Sequence, residues 1–383
     1  MRVVVCLDKF RGSLTATEAC TAVAAGLRAG NSGTDVVVVP IADGGEGTVE
    51  ALVSAGYERR TAVVRGPMGA PVTAEFAVRD GLAVIEMAQA SGLHLVSGQP
   101  EPLRASTFGT GELIARALDL GCRSIAVTAG GSATTDGGAG MLQALGARLL
   151  TAGGQPVEPG GGGLAALTEI DLGTVDSRIR DAVVVLASDV DNPLLGATGA
   201  AAVFGPQKGA TADEVLVLEA GLQRLADVMQ LAVGKDLREL AGAGAAGGLG
   251  FGVLAGLTAR RVAGIDFIMK QTGIDAALDG AAMVVIGEGR LDEQSLSGKA
   301  PVGLAGLARR RGVPVVAVAG QVQLSAQQLS GIGVVASFAV LERTGDLATA
   351  ISQAAPLLTA IGSELARLLG APPRCNTDPE EPS

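Results

Sequence analysis

Histidine occurs once in the 383 residues, tyrosine once and tryptophan not at all. The single imidazole, His94 within S-G-L-H-L-V, excludes H-E-x-x-H metalloproteases and histidine-rich metal centres, and it leaves one candidate for any His-dependent nucleophilic triad. His94 stands in an apolar alternation, where a packed or half-exposed side chain outweighs a catalytic one. The four cysteines (Cys6, Cys20, Cys122 and Cys375) make no C-x-x-C pair. That supports neither a zinc ribbon nor a disulfide framework, and the cytoplasm is the expected compartment. Positive charge is scarce too, with 29 Lys plus Arg against 39 Asp plus Glu and a net charge of −10. With aromatics at only 2%, the chain lacks both the cationic surface and the stacking platforms that nucleic-acid binding needs. Mean hydropathy is +0.40, yet no 18-residue stretch is free of charges and breakers, so no membrane span is expected. The opening MRVVVCLDKF reaches Asp8 and Lys9 too soon for a signal peptide and reads as a first strand. The chemistry must fall to carboxylates, Lys, Arg, hydroxyls and backbone amides.

Glycine, by contrast, is abundant: 57 residues, about twice the usual ~7%. The glycines cluster beside acidic and hydroxyl residues, where backbone turns sharply or approaches a ligand. The runs 153–164 and 196–199 read as plain linkers.

Apolar β-branched runs at 3–6 and 36–40, each followed by a helical pattern, predict two βα units and a parallel sheet. Thr15 and Glu18 have the spacing of a capping box. Residues 60–87 change rhythm and predict an antiparallel meander. Further helices are expected near 110–120, 138–146, 211–232 and 249–260, with strands at 124–130 and 183–188. Three more βα units follow, with strands at 282–289, 313–320 and 334–341 and a last helix from about 346 to 369. Two units at the start and three at the end make a flavodoxin-like α/β sheet in the order 2-1-3-4-5, with the first strand beside residues 283–287. The expected organisation is a flavodoxin-like parallel sheet domain, 1–60 and 280–370, interrupted by an inserted second α/β domain, 61–279. A polar, Pro-rich tail at 371–383 is expected to be disordered. A contiguous split near 150 competes, but the terminal pieces are each too small to close a core alone.

Ligands of open parallel sheets bind outside the carboxyl ends of the strands. Asp8 (D-K-F-R-G-S), Asp43 with Glu46 (A-D-G-G-E-G-T) and Glu288 (G-E-G-R-L-D) stand there. In the middle region, G-G-S-A-T-T-D-G-G-A-G follows a strand and opens a helix. Its amides, with Ser132, Thr134, Thr135 and Asp136, suit phosphate oxygens, although a tight structural turn would carry the same residues. S-D-V-D-N-P-L ends another strand with Asp189 and Asp191 two apart, and carboxylates beside Asn192 suit Mg²⁺. Lys208, Arg290, Asp292 and Lys299 complete the set; a lysine at a helix start, like Lys299, is unfavourable unless an anion sits there. An anionic ligand meeting carboxylates and a metal without histidine points to phosphoryl transfer.

The segments D-K-F-R-G-S-L-T-A, A-D-G-G-E-G-T, S-T-F-G-T-G-E-L, G-G-S-A-T-T-D-G-G-A-G-M, S-D-V-D-N-P-L, F-G-P-Q-K-G-A, G-A-G-A-A-G-G-L-G and G-E-G-R-L-D-E-Q-S-L-S-G-K resemble, in order over residues 1–369, the bacterial glycerate kinase family of the glycerate 2-kinase type. The resemblance implies phosphorylation of D-glycerate with ATP and Mg²⁺, giving 2-phosphoglycerate, by a cytoplasmic monomer or homodimer. A kinase of another small hydroxy acid and a non-catalytic glycerate or nucleotide sensor are the alternatives. On this basis Asp191 is expected to orient the glycerate hydroxyl as base, while Asp189 binds metal with Asn192 or Asp43. Arg11 and Arg290 are the candidate cations for the substrate carboxylate, Arg290 favoured. The family's usual D-S-F-K is D-K-F-R here, with Lys9 in place of a hydroxyl.

Overall fold

The computed structural model describes residues 1–296 and 300–370. Lys299, Cys375 and the tail 371–383 lie outside the described residues. Two compact units divide the chain. One holds Met1–Pro40, Asp275–Ser295 and the chain from Leu304 on; the other holds Ile41–Ile274 with Leu296 and residues 300–303.

The first unit is built on five parallel strands in the spatial order Val334–Ala339, Val315–Ala319, Ala281–Gly287, Arg2–Leu7, Asp35–Val38. This is the flavodoxin-like order expected, with Val3–Leu7 paired in register to Met283–Gly287. The strands are apolar along their length because helices cover the sheet. Val3, Val5 and Leu7 pack with Val23 and Leu27 of the helix Ala16–Gly30 and with Ile361 and Leu365 of the helix Ala354–Gly370. Each such side chain contributes ~1.5–3 kcal/mol of burial. The capping box forms as expected: Glu18 N–H donates to Thr15 Oγ1 at 3.2 Å and Thr15 N–H to Glu18 Oε2 at 2.9 Å.

The second unit carries six strands in the order Arg260–Val262, Val183–Ala187, Ser124–Thr128, Leu82–Glu86, Pro71–Arg79, Glu58–Arg65. The first four run parallel. The last two add the antiparallel meander expected for 60–87. Its main buried core includes Ile85, Leu113, Ile125, Leu142, Leu186 and Leu225, and a smaller one gathers Val49, Leu52, Tyr57, Ala77, Val84 and Ala126.

Three local expectations change. The unit boundary falls at Pro40–Ile41, not near 60: Val49 and Leu52 of the helix Thr48–Ser54 pack on Tyr57, Ala77, Val84 and Ala126 of the larger unit's core. The helix expected at 249–260 is a short turn, Leu249–Phe251, widening through Gly252–Gly256, and Thr258 at φ 53° turns the chain into the edge strand Arg260–Val262. The single helix expected over 346–369 is two, Leu347–Ser352 and Ala354–Gly370. Pro356 explains the break, since a residue without an N–H fits only the first turn of a helix. Among the described residues no helix is long and apolar enough to cross a membrane.

Candidate active site

The carboxyl ends of Ser124–Thr128 and Val183–Ala187 bring together the most concentrated chemistry of the larger unit. Asp189 follows its strand by two residues, where Gly264 N–H donates to Oδ1 at 2.8 Å and Ile265 N–H to Oδ2 at 3.0 Å. These are the first amides of the helix Gly264–Thr272, whose positive end favours a carboxylate. Even so, burial pushes the Asp189 carboxyl above the usual carboxylate range, the two amides pull it back, and the neighbouring Asp43 carboxylate pushes it up again. A Cβ on Gly264 would lie 2.9 Å from Asp189 Oδ2, so only glycine admits the carboxylate this close to the helix.

Asp43 is shaped by its own turn, Gly45 N–H donating to its Oδ1 at 3.1 Å. Gly45 in turn lies against Gly130, the first glycine after strand Ser124–Thr128. The Thr128 hydroxyl, buried beside Gly44, has no hydrogen-bond partner among the described residues. An unmatched buried hydroxyl beside glycine backbone marks a place where a polar ligand can bind. Glu46 is exposed on the same turn.

Asp191 stands differently. It is exposed, and the Arg261 guanidinium holds its Oδ1 at 2.6 Å while Arg261 Nε donates to the Ser188 carbonyl. Asn192 is tied to its own loop, its Nδ2 donating to the Thr198 carbonyl at 2.7 Å.

The glycine loop 130–140 is largely interior. Gly131 is exposed, but Ser132 through Gly140 are buried, with Thr134, Thr135 and Asp136 fully so. Asp136 accepts from Thr107 N–H at 2.8 Å, Thr107 Oγ1 at 2.9 Å, Gly138 N–H at 3.0 Å and Gly140 N–H at 3.2 Å. Burial raises its carboxyl pKa and these four bonds oppose the rise. Lys208 is 2% exposed and donates to the Thr134 carbonyl. Burial drives its ammonium pKa down to about 7, against the pull of Asp136. Gly247, in the glycine-rich run 242–252, packs on the Thr134 carbonyl and on Lys208, and a Cβ there would lie 2.8 Å from Lys208 Nζ. Asp136 and Lys208 thus brace the loop from within, while the Thr134 and Thr135 hydroxyls are buried with no hydrogen-bond partner among the described residues.

In the first unit, Asp8 and Glu288 follow the paired ends Leu7 and Gly287. Lys9 N–H donates to Asp8 Oδ1 at 2.6 Å, and Ser295 Oγ to Glu288 Oε1 at 2.6 Å. Arg290 Nε pairs with Asp292 Oδ2 at 2.9 Å, and Asp292 also accepts from Gln294 N–H. Arg11 is exposed, and its side chain forms no ion pair among the described residues. His94 is exposed on the short turn Leu93–Leu95.

Sequence reasoning missed several contributors. Gly264 and Ile265 carry no local mark beyond a glycine before a helical pattern. Arg261 lies outside every motif. Thr107 lies inside a noted motif, but its partnership with Asp136, 29 positions on, is invisible locally. Glu86 is wholly buried and accepts from Val49 N–H at 3.0 Å, holding the start of the helix that follows Asp43.

Known proteins share this arrangement of chain. The model of the glycerate kinase family matches residues 3–370. A glycerate kinase of Bacillus subtilis (strain 168) is 44% identical over 370 residues, 96% of this chain and 97% of that one. The glycerate 2-kinase of Escherichia coli (strain K12) is 42% identical over 352 residues, 91% of this chain and 92% of that one. A crystal structure from Salmonella typhimurium LT2, described as a glycerate kinase 2, matches with a TM-score of 0.84 at 40% identity, over 97% of this chain and 98% of that one. With motifs, sheet order and relatives in agreement over nearly its whole length, the chain belongs to the glycerate kinase family.

Proposed function

We propose that the chain transfers the γ-phosphoryl group of ATP to D-glycerate, giving 2-phosphoglycerate, in the cytoplasm. Beside the family membership, one observation carries the choice of reacting centre: the Asp189 carboxylate, fixed on the amides of Gly264 and Ile265, sits by Asp43 and the Gly45–Gly130 contact.

In phosphoryl transfer the protein mainly positions the reactants and neutralises charge. The attacking hydroxyl must be oriented and lose its proton. Asp189 is the better base on this geometry, because burial raises its proton affinity and two amides fix its direction. Asp191, exposed and paired with Arg261, serves to hold the loop. Gly130 is half-buried and Gly131 exposed, so the backbone there is bare and phosphate oxygens can come close to it.

Among the described residues no group of three His, Cys, Asp or Glu side chains could cage a metal. Mg²⁺ seldom needs one, since it keeps its waters and binds one or two carboxylates together with substrate phosphates. Asp43 would hold it, with Asp189 adjacent. Bound there, Mg²⁺ would supply charge neutralisation for the phosphates.

The test is ADP release on a panel of D-glycerate, L-glycerate, lactate and malate, with the product identified by phosphorus NMR. D-glycerate should turn over fastest and yield the 2-phosphate. An absence of ATP-dependent turnover of D-glycerate would contradict the proposal.

A further inference from the structure

The larger unit contains a cavity of ≈ 570 Å³ between the turn that follows strand Glu58–Arg65, the start of helix Phe108–Asp119 and the glycine run near Pro159. A cavity of that size suits a small organic ligand. Pro67, Met68, Leu103 and Pro159 give it apolar walls. The Arg65 guanidinium lies 4.0 Å over the centroid of the Phe108 ring, a flat stack onto which another flat ring can add.

Charge narrows the occupant. Arg65 is met by Glu112, whose Oε1 is 3.8 Å away, and Arg104 by Glu101 at 2.7 Å. Glu158 is exposed on the rim and forms no ion pair among the described residues. With both cations already paired, the cavity suits an uncharged, planar group bearing hydrogen-bond donors.

Position narrows it further. Pairing of Arg65 with Pro71 and of Val84 with Ala77 sets the Arg65 turn beyond the carboxyl end of Leu82–Glu86, on the same sheet edge as Asp189. The strand leading to Asp189 and the strand ending at Arg65 are four places apart. At ~4.8 Å per strand that is roughly 19 Å, about the span of an extended nucleoside triphosphate.

We propose that this cavity binds the adenine nucleoside end of ATP, the base stacking on the Arg65–Phe108 pair and its exocyclic amine donating to Glu158. The proposal rests on the kinase reading, which makes ATP the ligand, so its test must be legible without turnover. Photolabelling of the full chain with 8-azido-ATP provides that. Label should fall on peptides containing Met68, Phe108 or Pro159 and be suppressed by excess ATP; label confined to other peptides overturns the proposal even if D-glycerate proves not to be the substrate. In steady state, Phe108→Ala should raise the KM for ATP about tenfold while the KM for glycerate stays within twofold. Glu158→Gln, at an exposed position that endangers no core, should narrow the preference for ATP over inosine triphosphate, which lacks the amine. An unchanged ATP KM in the first variant together with unchanged base preference in the second overturns the assignment.

Discussion

A Cβ placed on Gly130 would lie 2.6 Å from the Cα of Gly45 and 3.1 Å from its nitrogen. The two turns that carry Asp43 and open the glycine loop therefore meet backbone to backbone, with no room for a methyl group. Gly130→Ala must part them. We expect kcat/KM to fall at least tenfold, roughly 1.4 kcal/mol of transition-state stabilisation, with a far smaller change in melting temperature. A variant with normal kinetics would show that this contact does not shape the site.

The Asp136 brace makes a stability prediction. Asparagine at 136 keeps the shape but turns an NH2 group toward N–H donors that now face a carboxylate. Asp136→Asn should cost about 2 kcal/mol or more, measured by urea unfolding. Thr107→Val should cost about 1–3 kcal/mol, since Thr107 Oγ1 both donates to Asp136 and accepts from Met141 N–H at 2.9 Å. Unfolding midpoints within error of the parent would refute the brace.

Lys208 predicts a pH dependence. Its ammonium pKa is about 7 in the fold against an ordinary 10.5, so above pH 7 the unfolded chain binds more protons than the native one. The Lys208 contribution to stability then rises with pH from about 7 towards 10.5, and is least favourable below that window. Lys208→Met removes this dependence. The melting temperature of the variant minus that of the parent should fall as pH goes from 6.5 to 9. A difference that stays flat over that range would mean the lysine titrates normally.

Much of this architecture was legible in the sequence because its strands are short β-branched runs and its loops are short. Val3–Leu7, Val36–Val38 and Val284–Ile286 could only be buried parallel strands, and the order of the five followed from pairing the first with the third. Asp8, Asp43, Glu288 and Asp189 were legible for the same reason, as acids just beyond strand ends. Composition is ambiguous where one set of residues can serve two purposes. Residues 130–138 have the glycines and hydroxyls of a phosphate turn, and only the tertiary structure shows 132–136 buried, with Asp136 held by Thr107. The distinction between Asp189 and Asp191 was likewise out of reach, because it depends on Gly264, 75 positions from Asp189, and on Arg261, 70 positions from Asp191.

That distinction is where the account is most exposed. The decisive measurement is kcat for D-glycerate phosphorylation in Asp189→Asn and Asp191→Asn, each checked for a native melting profile. Removing the charge at Asp189 should lower kcat by ~10²-fold or more, as the loss of a general base does. Removing it at Asp191 frees Arg261 in a solvated ion pair and should lower kcat less than tenfold. Near-normal kcat in Asp189→Asn, or a larger loss in Asp191→Asn, would contradict the placement of the chemistry at Asp189.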